Sequence, residues 1–144
     1  LSKIFTFKTT PRFSDTDAYG IVHHSNHYKM LEEARINYAN CVLDLSMEDF
    51  NDLGYKFPVI KSECNYKVPI YYGDTLNIDI IFSIEKAARL TFSYTIYNER
   101  TKLIHATAKT CHVFMKHDGK LCLTYPDWFI AKIKLALTEY QIDY

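Results

Sequence analysis

The chain has 144 residues, 48% of them hydrophobic, and 21 of its 22 aromatic side chains are Tyr or Phe, enough apolar volume for one core without metal or disulfide staples. Seventeen basic residues balance seventeen acidic ones with no long block of either sign, so composition offers no electrostatic footprint for nucleic acid. Four scattered cysteines without a C-x-x-C pair, no apolar run near the ~20 residues of a membrane helix, and no signal-peptide core point to a single domain over residues 1–144, in the reducing cytoplasm and away from membranes.

Residues 3–13 are rich in Phe, Ile and Thr, with Pro11 near the end, which predicts a strand leading into a loop over residues 14–22. From about Ser25, the positions Tyr28, Leu31, Ala34, Tyr38 and Val42 recur at three- and four-residue intervals. That is the spacing of a helix with one buried face, running to about Cys41. Ser46 with Asp49 three residues on is a capping pair for a short second helix, which Gly54 would end.

After Pro58 the period changes to two. Leu76, Ile78, Ile80, Phe82 and Ile84 alternate with Asn77, Asp79, Ile81, Ser83 and Glu85, a long strand with one buried face. Leu90, Phe92, Tyr94 and Ile96 repeat the pattern in a second strand, which a polar turn over residues 98–102 closes. A third strand is expected over residues 103–116, where the small Ala106 and Ala108 would let a helix lie close. His117, Asp118, Gly119 and Lys120 read as a hairpin turn. Pro126 and Asp127 cap a final amphipathic helix carrying Trp128, Ile130, Ile133 and Leu137. One early helix followed by adjacent antiparallel strands is an α+β pattern rather than alternating βαβ units.

The chemistry concentrates in residues 15–26, where Asp15, Asp17, Gly20, His23 and His24 share the loop that feeds the long helix. A helix start offers unpaired N–H groups and the positive end of the macrodipole, both suited to a developing oxyanion, and a carboxylate beside them can act on a carbonyl carbon. Asp15, Asp17 and Gly20 also imitate the start of a calcium loop, but Asn26 stands where the bidentate Glu is required. His23 and His27 have the i, i+4 spacing of a helical zinc pair, yet His24 takes the place of the Glu in H-E-x-x-H. A purely structural reading makes both aspartates loop hydrogen-bonders or caps. The four glycines form no G-x-S-x-G, and Cys111 and His112 are strand neighbours that point to opposite faces.

The run Asp15, Thr16, Asp17, Ala18, then Gly20, Ile21 and Val22, followed by Asn26 and by Glu32, Glu33, Ala34 and Arg35, resembles the opening of the 4-hydroxybenzoyl-CoA thioesterase family. The likeness continues through the segment from Tyr66 to Leu76, with Tyr71, Tyr72, Gly73, Asp74 and Thr75, through the strand from His105 to Val113, and through Asp118, Gly119 and Pro126, so it covers roughly residues 5–128. It implies a hotdog fold, a curved antiparallel sheet wrapped around one long helix, assembled as a homodimer or homotetramer with sites at the subunit interface. It implies a thioesterase that hydrolyses acyl-CoA, with no cofactor and no metal. By position, Asp17 matches the catalytic carboxylate, as general base or nucleophile, and the N–H of His24 matches the donor that polarises the carbonyl. Tyr19, Gly20 and His23 stand with the substrate, and Lys86 and Arg89 lie where related enzymes place basic residues for the coenzyme phosphates. Glu32 and Glu33 are expected to be structural or interface groups. Two alternatives stay open: hydrolysis of an acyl-carrier-protein thioester, and a non-enzymatic acyl-CoA-binding sensor.

Overall fold

A computed structural model describes residues 2–144; Leu1, the first residue of the expected domain, lies outside the described residues. Strand β1 (Phe5–Thr9) leads through a short 3-10 turn at Phe13–Asp15 into helix α1 (His24–Cys41). The buried residues of α1 are Asn26, His27, Met30, Leu31, Ala34 and Tyr38, the three-and-four recurrence that the sequence carries. Tyr28, expected on that face, is only half-buried.

Helix α2 (Met47–Leu53) is bounded by two local devices. At its start the Ser46 hydroxyl accepts from the Asp49 N–H (3.1 Å) while the Asp49 carboxylate accepts from the Ser46 N–H (2.8 Å), a reciprocal cap. At its end Gly54 takes φ +82°, the left-handed turn that stops a helix.

The main sheet comprises β3 (Val59–Tyr66), β4 (Leu76–Ile84), β5 (Arg89–Asn98) and β6 (Ile104–Val113), in the order β1-β4-β5-β6-β3 and antiparallel throughout. A two-residue strand at the C-terminal end, β8 (Ile142–Asp143), runs parallel to β4 beyond the end of β1. On β4 and β5 the even-numbered residues from Leu76 to Phe82 and Leu90 to Ile96 are buried, and they form the floor on which α1 lies. Tyr38 stands among Phe5, Phe82 and Phe92 at centroid distances of 5.3–5.6 Å, two of these contacts edge-to-face, and ties helix to sheet.

The expected third strand is shorter than the span 103–116. It ends at Val113, and after Phe114 the chain continues as β7 (Met115–Lys116), paired with β2 (Tyr55–Lys56) in a separate two-stranded sheet. The cause lies in the neighbour: Pro58 has no N–H to continue the ladder of β3, so pairing with β3 stops and Tyr55 and Lys56 take over. Phe114, fully buried, fills the junction against Phe57 and Phe129. The turn at residues 117–120 forms as expected, with the Gly119 N–H donating to the Lys116 carbonyl (2.9 Å).

Helix α3 (Asp127–Ala136) buries Phe129, Ile133 and Ala136; of the expected stripe Ile133 is buried, while Trp128, Ile130 and Leu137 are half-buried and Phe129 and Ala136 complete the buried face instead. Strand β8 (Ile142–Asp143) then returns to Phe82 and Ser83 of β4. No helix among the described residues is long and apolar enough to cross a membrane.

Candidate active site

The loop before α1 is built by backbone hydrogen bonds. Thr16 and Val22 form an antiparallel bridge; between them the Asp17 N–H donates to the Ile21 carbonyl (2.8 Å) and the Gly20 N–H to the Asp17 carbonyl (3.0 Å). So tight a reversal needs a left-handed residue, which Gly20 supplies at φ +79°. The Val22 N–H donates to the Ile70 carbonyl (2.8 Å) and Ile21 bridges to Tyr71, which pins the loop to the segment before β4.

Asp15 is the hinge between this loop and the helix. Its carboxylate accepts from the N–H of Arg12 (2.8 Å) and faces the Arg12 guanidinium (3.8 Å). Its carbonyl accepts from the His23 N–H (2.9 Å) and from the side-chain amide of buried Asn26 (2.7 Å). Asp15 is thus spent on structure, as the hydrogen-bonding reading expects.

Asp17 is engaged differently. One carboxylate oxygen accepts from the Tyr19 N–H (2.8 Å), which fixes the side chain, and the other has no hydrogen-bond partner among the described residues. Helix α1 begins two residues beyond Val22, with His23 as its cap. The His23 ring accepts from the Ser25 N–H (3.3 Å) and the His23 carbonyl from the Asn26 N–H (2.9 Å). That leaves the N–H of His24 without a partner among the described residues. The first turn of α1 carries no acidic side chain, so nothing on the helix itself neutralises the positive end of its dipole.

The three histidines here have separate surroundings. His23 and His24 are exposed, with ring centroids 4.2 Å apart. His27 is buried, and burial lowers the pKa of its imidazole. Tyr66, from the edge strand β3, packs edge-on against His27 (4.7 Å) and His24 (6.1 Å) and donates its hydroxyl to the His24 carbonyl (3.3 Å). Tyr19 and Gly20 are exposed at the tip of the loop.

Residues 11–133 match the family described as the thioesterase-like superfamily. The chain belongs to that superfamily. A protein of Aquifex aeolicus is 32% identical over 119 residues, which span 81% of this chain and 88% of the relative. A 1,4-dihydroxy-2-naphthoyl-CoA hydrolase of Thermosynechococcus vestitus is 28% identical over 136 residues, 92% of this chain and 90% of that one. Among solved structures, a 1,4-dihydroxy-2-naphthoyl-CoA thioesterase from Synechocystis shares the fold with a TM-score of 0.82 at 22% identity, over 92% of this chain and 96% of that one. The α+β fold of this superfamily member is therefore the hotdog fold.

Not all the expected site residues come together within one chain of the thioesterase. Asp17, Tyr19, Gly20, His23 and His24 share the loop and the helix start. Lys86 and Arg89 are exposed in the turn between β4 and β5, at the opposite end of β4 from the segment that pins the loop. The nine residues of β4 put roughly 26 Å between those ends. Tyr66 and Asn26 are the contributors that the sequence reading left without a role. Both stand in segments that carry the family likeness, but Tyr66 also sits in a strand whose alternation is masked by exposure on both faces.

Proposed function

We propose that this thioester hydrolase cleaves acyl-CoA to a free acid and CoA, with Asp17 acting at the thioester carbonyl and the N–H of His24 receiving its oxygen. The observation that carries this reading is the pairing of a carboxylate oxygen without a partner and a helix-start N–H without a partner, both fixed by one short loop. A thioester carbonyl is already electrophilic, so it needs only polarisation by such a donor and attack by activated water or a nucleophile. Asp17 can serve as the general base that activates water, or attack directly to give a mixed anhydride that water then opens. CoA as the carrier is supported by the names of the Thermosynechococcus and Synechocystis proteins.

The working unit is a homodimer. One edge of the sheet, β3, has no neighbour among the described residues and exposes Val59, Ile60 and Tyr66. A second subunit also offers the means of bringing Lys86 and Arg89 to a coenzyme that their own Asp17 loop does not reach.

The decisive experiment is steady-state turnover with free-thiol detection for the wild type, Asp17→Asn and Asp15→Asn. Asp17→Asn should lower kcat by about 10²–10⁴ with the far-ultraviolet circular dichroism unchanged. Asp15→Asn should mainly lower stability, by about 1 kcal/mol through loss of the Arg12 contact. Near-normal turnover by folded Asp17→Asn protein would overturn the mechanism.

A further inference from the structure

The face of the sheet beneath α1 is apolar almost everywhere, with one exception. Tyr94, Thr110 and His112 form a polar cluster, each no more than 2% exposed. The Tyr94 hydroxyl lies 2.7 Å from the Thr110 hydroxyl, which lies 2.9 Å from Nε2 of His112. Arg35 of α1 joins the cluster by donating to the Tyr94 hydroxyl (3.2 Å). A guanidinium carries five N–H donors. Among the described residues this one makes that single hydrogen bond and no ion pair.

Arg35 and His112 line a cavity of about 260 Å³, walled by Phe57, Phe82, Phe92 and Phe129. Its lining carries two cations, Arg35 and Lys56, against one carboxylate, Glu32. An aromatic cavity with a guanidinium short of partners is suited to an apolar body that ends in an acceptor oxygen.

Two independent rulers measure the separation between the cavity and the candidate site. Along α1, Arg35 is eleven residues from His24, or about 17 Å. Along β3, Tyr66 touches the His24 ring while Ser62 pairs with Thr110 of the cluster, four residues or about 13 Å away. Between these ends β3 and β6 contribute the small pair Cys64 and Ala108, and α1 contributes half-buried Tyr28 and exposed Glu32. Helix α1 and strand β3 thus both run from the oxyanion donor toward the cluster, and Glu32 stands at the rim of the cavity between them.

We propose that an extended acyl chain runs from the candidate site along α1 and β3 and ends in a carboxylate, received in the cavity by Arg35 with the Tyr94, Thr110 and His112 cluster behind it. The assignment rests on the thioester-hydrolase reading of the site and adds a substrate class to it. Arg35 is the specificity-determining residue; Tyr94 is a positioning residue that holds the guanidinium.

The test compares decanoyl-CoA with the CoA monothioester of decanedioic acid on the full chain. The expected result is a kcat/KM at least about tenfold higher for the diacid ester, because a site built around a polar partner rejects the analogue that lacks it. Arg35→Gln should abolish that preference, bringing kcat/KM for the diacid ester down to the value for decanoyl-CoA in the same variant. Tyr94→Phe, which removes only a hydroxyl, should reduce the preference in part and covers the case in which Arg35→Gln fails to fold. Calorimetry with the non-hydrolysable thioether analogues of both esters reads the same preference as a ratio of Kd values without turnover. Equal affinity for the two analogues, or equal effects of the variants on both, would overturn the proposal. Absence of turnover with a retained affinity preference would instead remove the hydrolase reading and leave the binding site standing.

Discussion

His112 is closed off at 1% exposure with the ring of Phe57 stacked on it at 4.7 Å, and burial, with the charge of Arg35 adding to it, pushes its imidazole down to about 4. An unfolded chain would hold this group near 6.5. Between those values the unfolded state binds a proton that the folded state refuses, so stability falls as pH falls. The contribution is complete above about pH 6.5 and is lost progressively toward pH 4, at a cost of roughly 3 kcal/mol. Buried His27, lowered by the same cause, acts in the same direction. Urea denaturation at pH 7, 5.5 and 4.5 should show this slope, and His112→Phe should flatten most of it. An unchanged slope in that variant would place the acid sensitivity elsewhere.

The turn between β4 and β5 is held more firmly than an ordinary surface turn. Ala87 and Ala88 both sit at positive φ, 61° and 55°, and the Tyr125 hydroxyl bonds the carbonyls of Glu85 and Arg89 on either side. Lys86 and Arg89 are therefore presented at a fixed place. If they meet the coenzyme phosphates of a neighbouring subunit's site, replacing both with Ala should raise KM for acyl-CoA several-fold and leave kcat nearly unchanged, since phosphate contacts serve ground and transition state alike. The effect should vanish with a pantetheine thioester that lacks the nucleotide; an equal effect on both substrates would show no such contact. Elements set by local chemistry were legible in the sequence: the Ser46 and Asp49 cap, the Gly54 stop, and the alternation of β4 and β5. The loop that brings Asp17 to the start of α1 was legible for the same reason, since seven residues separate Asp17 from His24. The rest depends on pairing across the chain. The sequence between Phe57 and Tyr66 shows no buried face because β3 is exposed on both, two-residue β2 and β8 are too short for any period, and the end of β6 is decided by Pro58, more than fifty residues earlier. Tyr66 reaches His24 only through that pairing, so no local pattern announces it.

The unpaired edge of β3 bears on the assembled state. An exposed strand carrying Val59 and Ile60 invites a second strand unless it is covered, and pairing two copies edge to edge is the symmetric way to cover it. Sedimentation at micromolar concentration should therefore give about twice the 16.9 kDa of one chain, or four times if dimers associate further. Replacing Ile60 with Lys on the edge should shift the population toward the single chain and lower turnover with it. A fully active 16.9 kDa species would defeat the shared site.

The strand order also decides how the chain reaches this state. The β4-β5 and β5-β6 ladders join neighbours in sequence, whereas β1 must find Ile80 from Phe5, β3 must find Ala106 from Tyr66, and β8 must find Phe82 from Ile142. Closing such long loops costs entropy before any contact rewards it, so refolding should be slow for a domain of this size, in the range of milliseconds to seconds. The β4-β5-β6 meander is the only part of the main sheet that can assemble without those closures, and it should supply the nucleus. Ile80→Val in β4 should slow folding, while Phe7→Leu in β1 should mainly speed unfolding, a contrast that stopped-flow chevrons of the two variants measure directly.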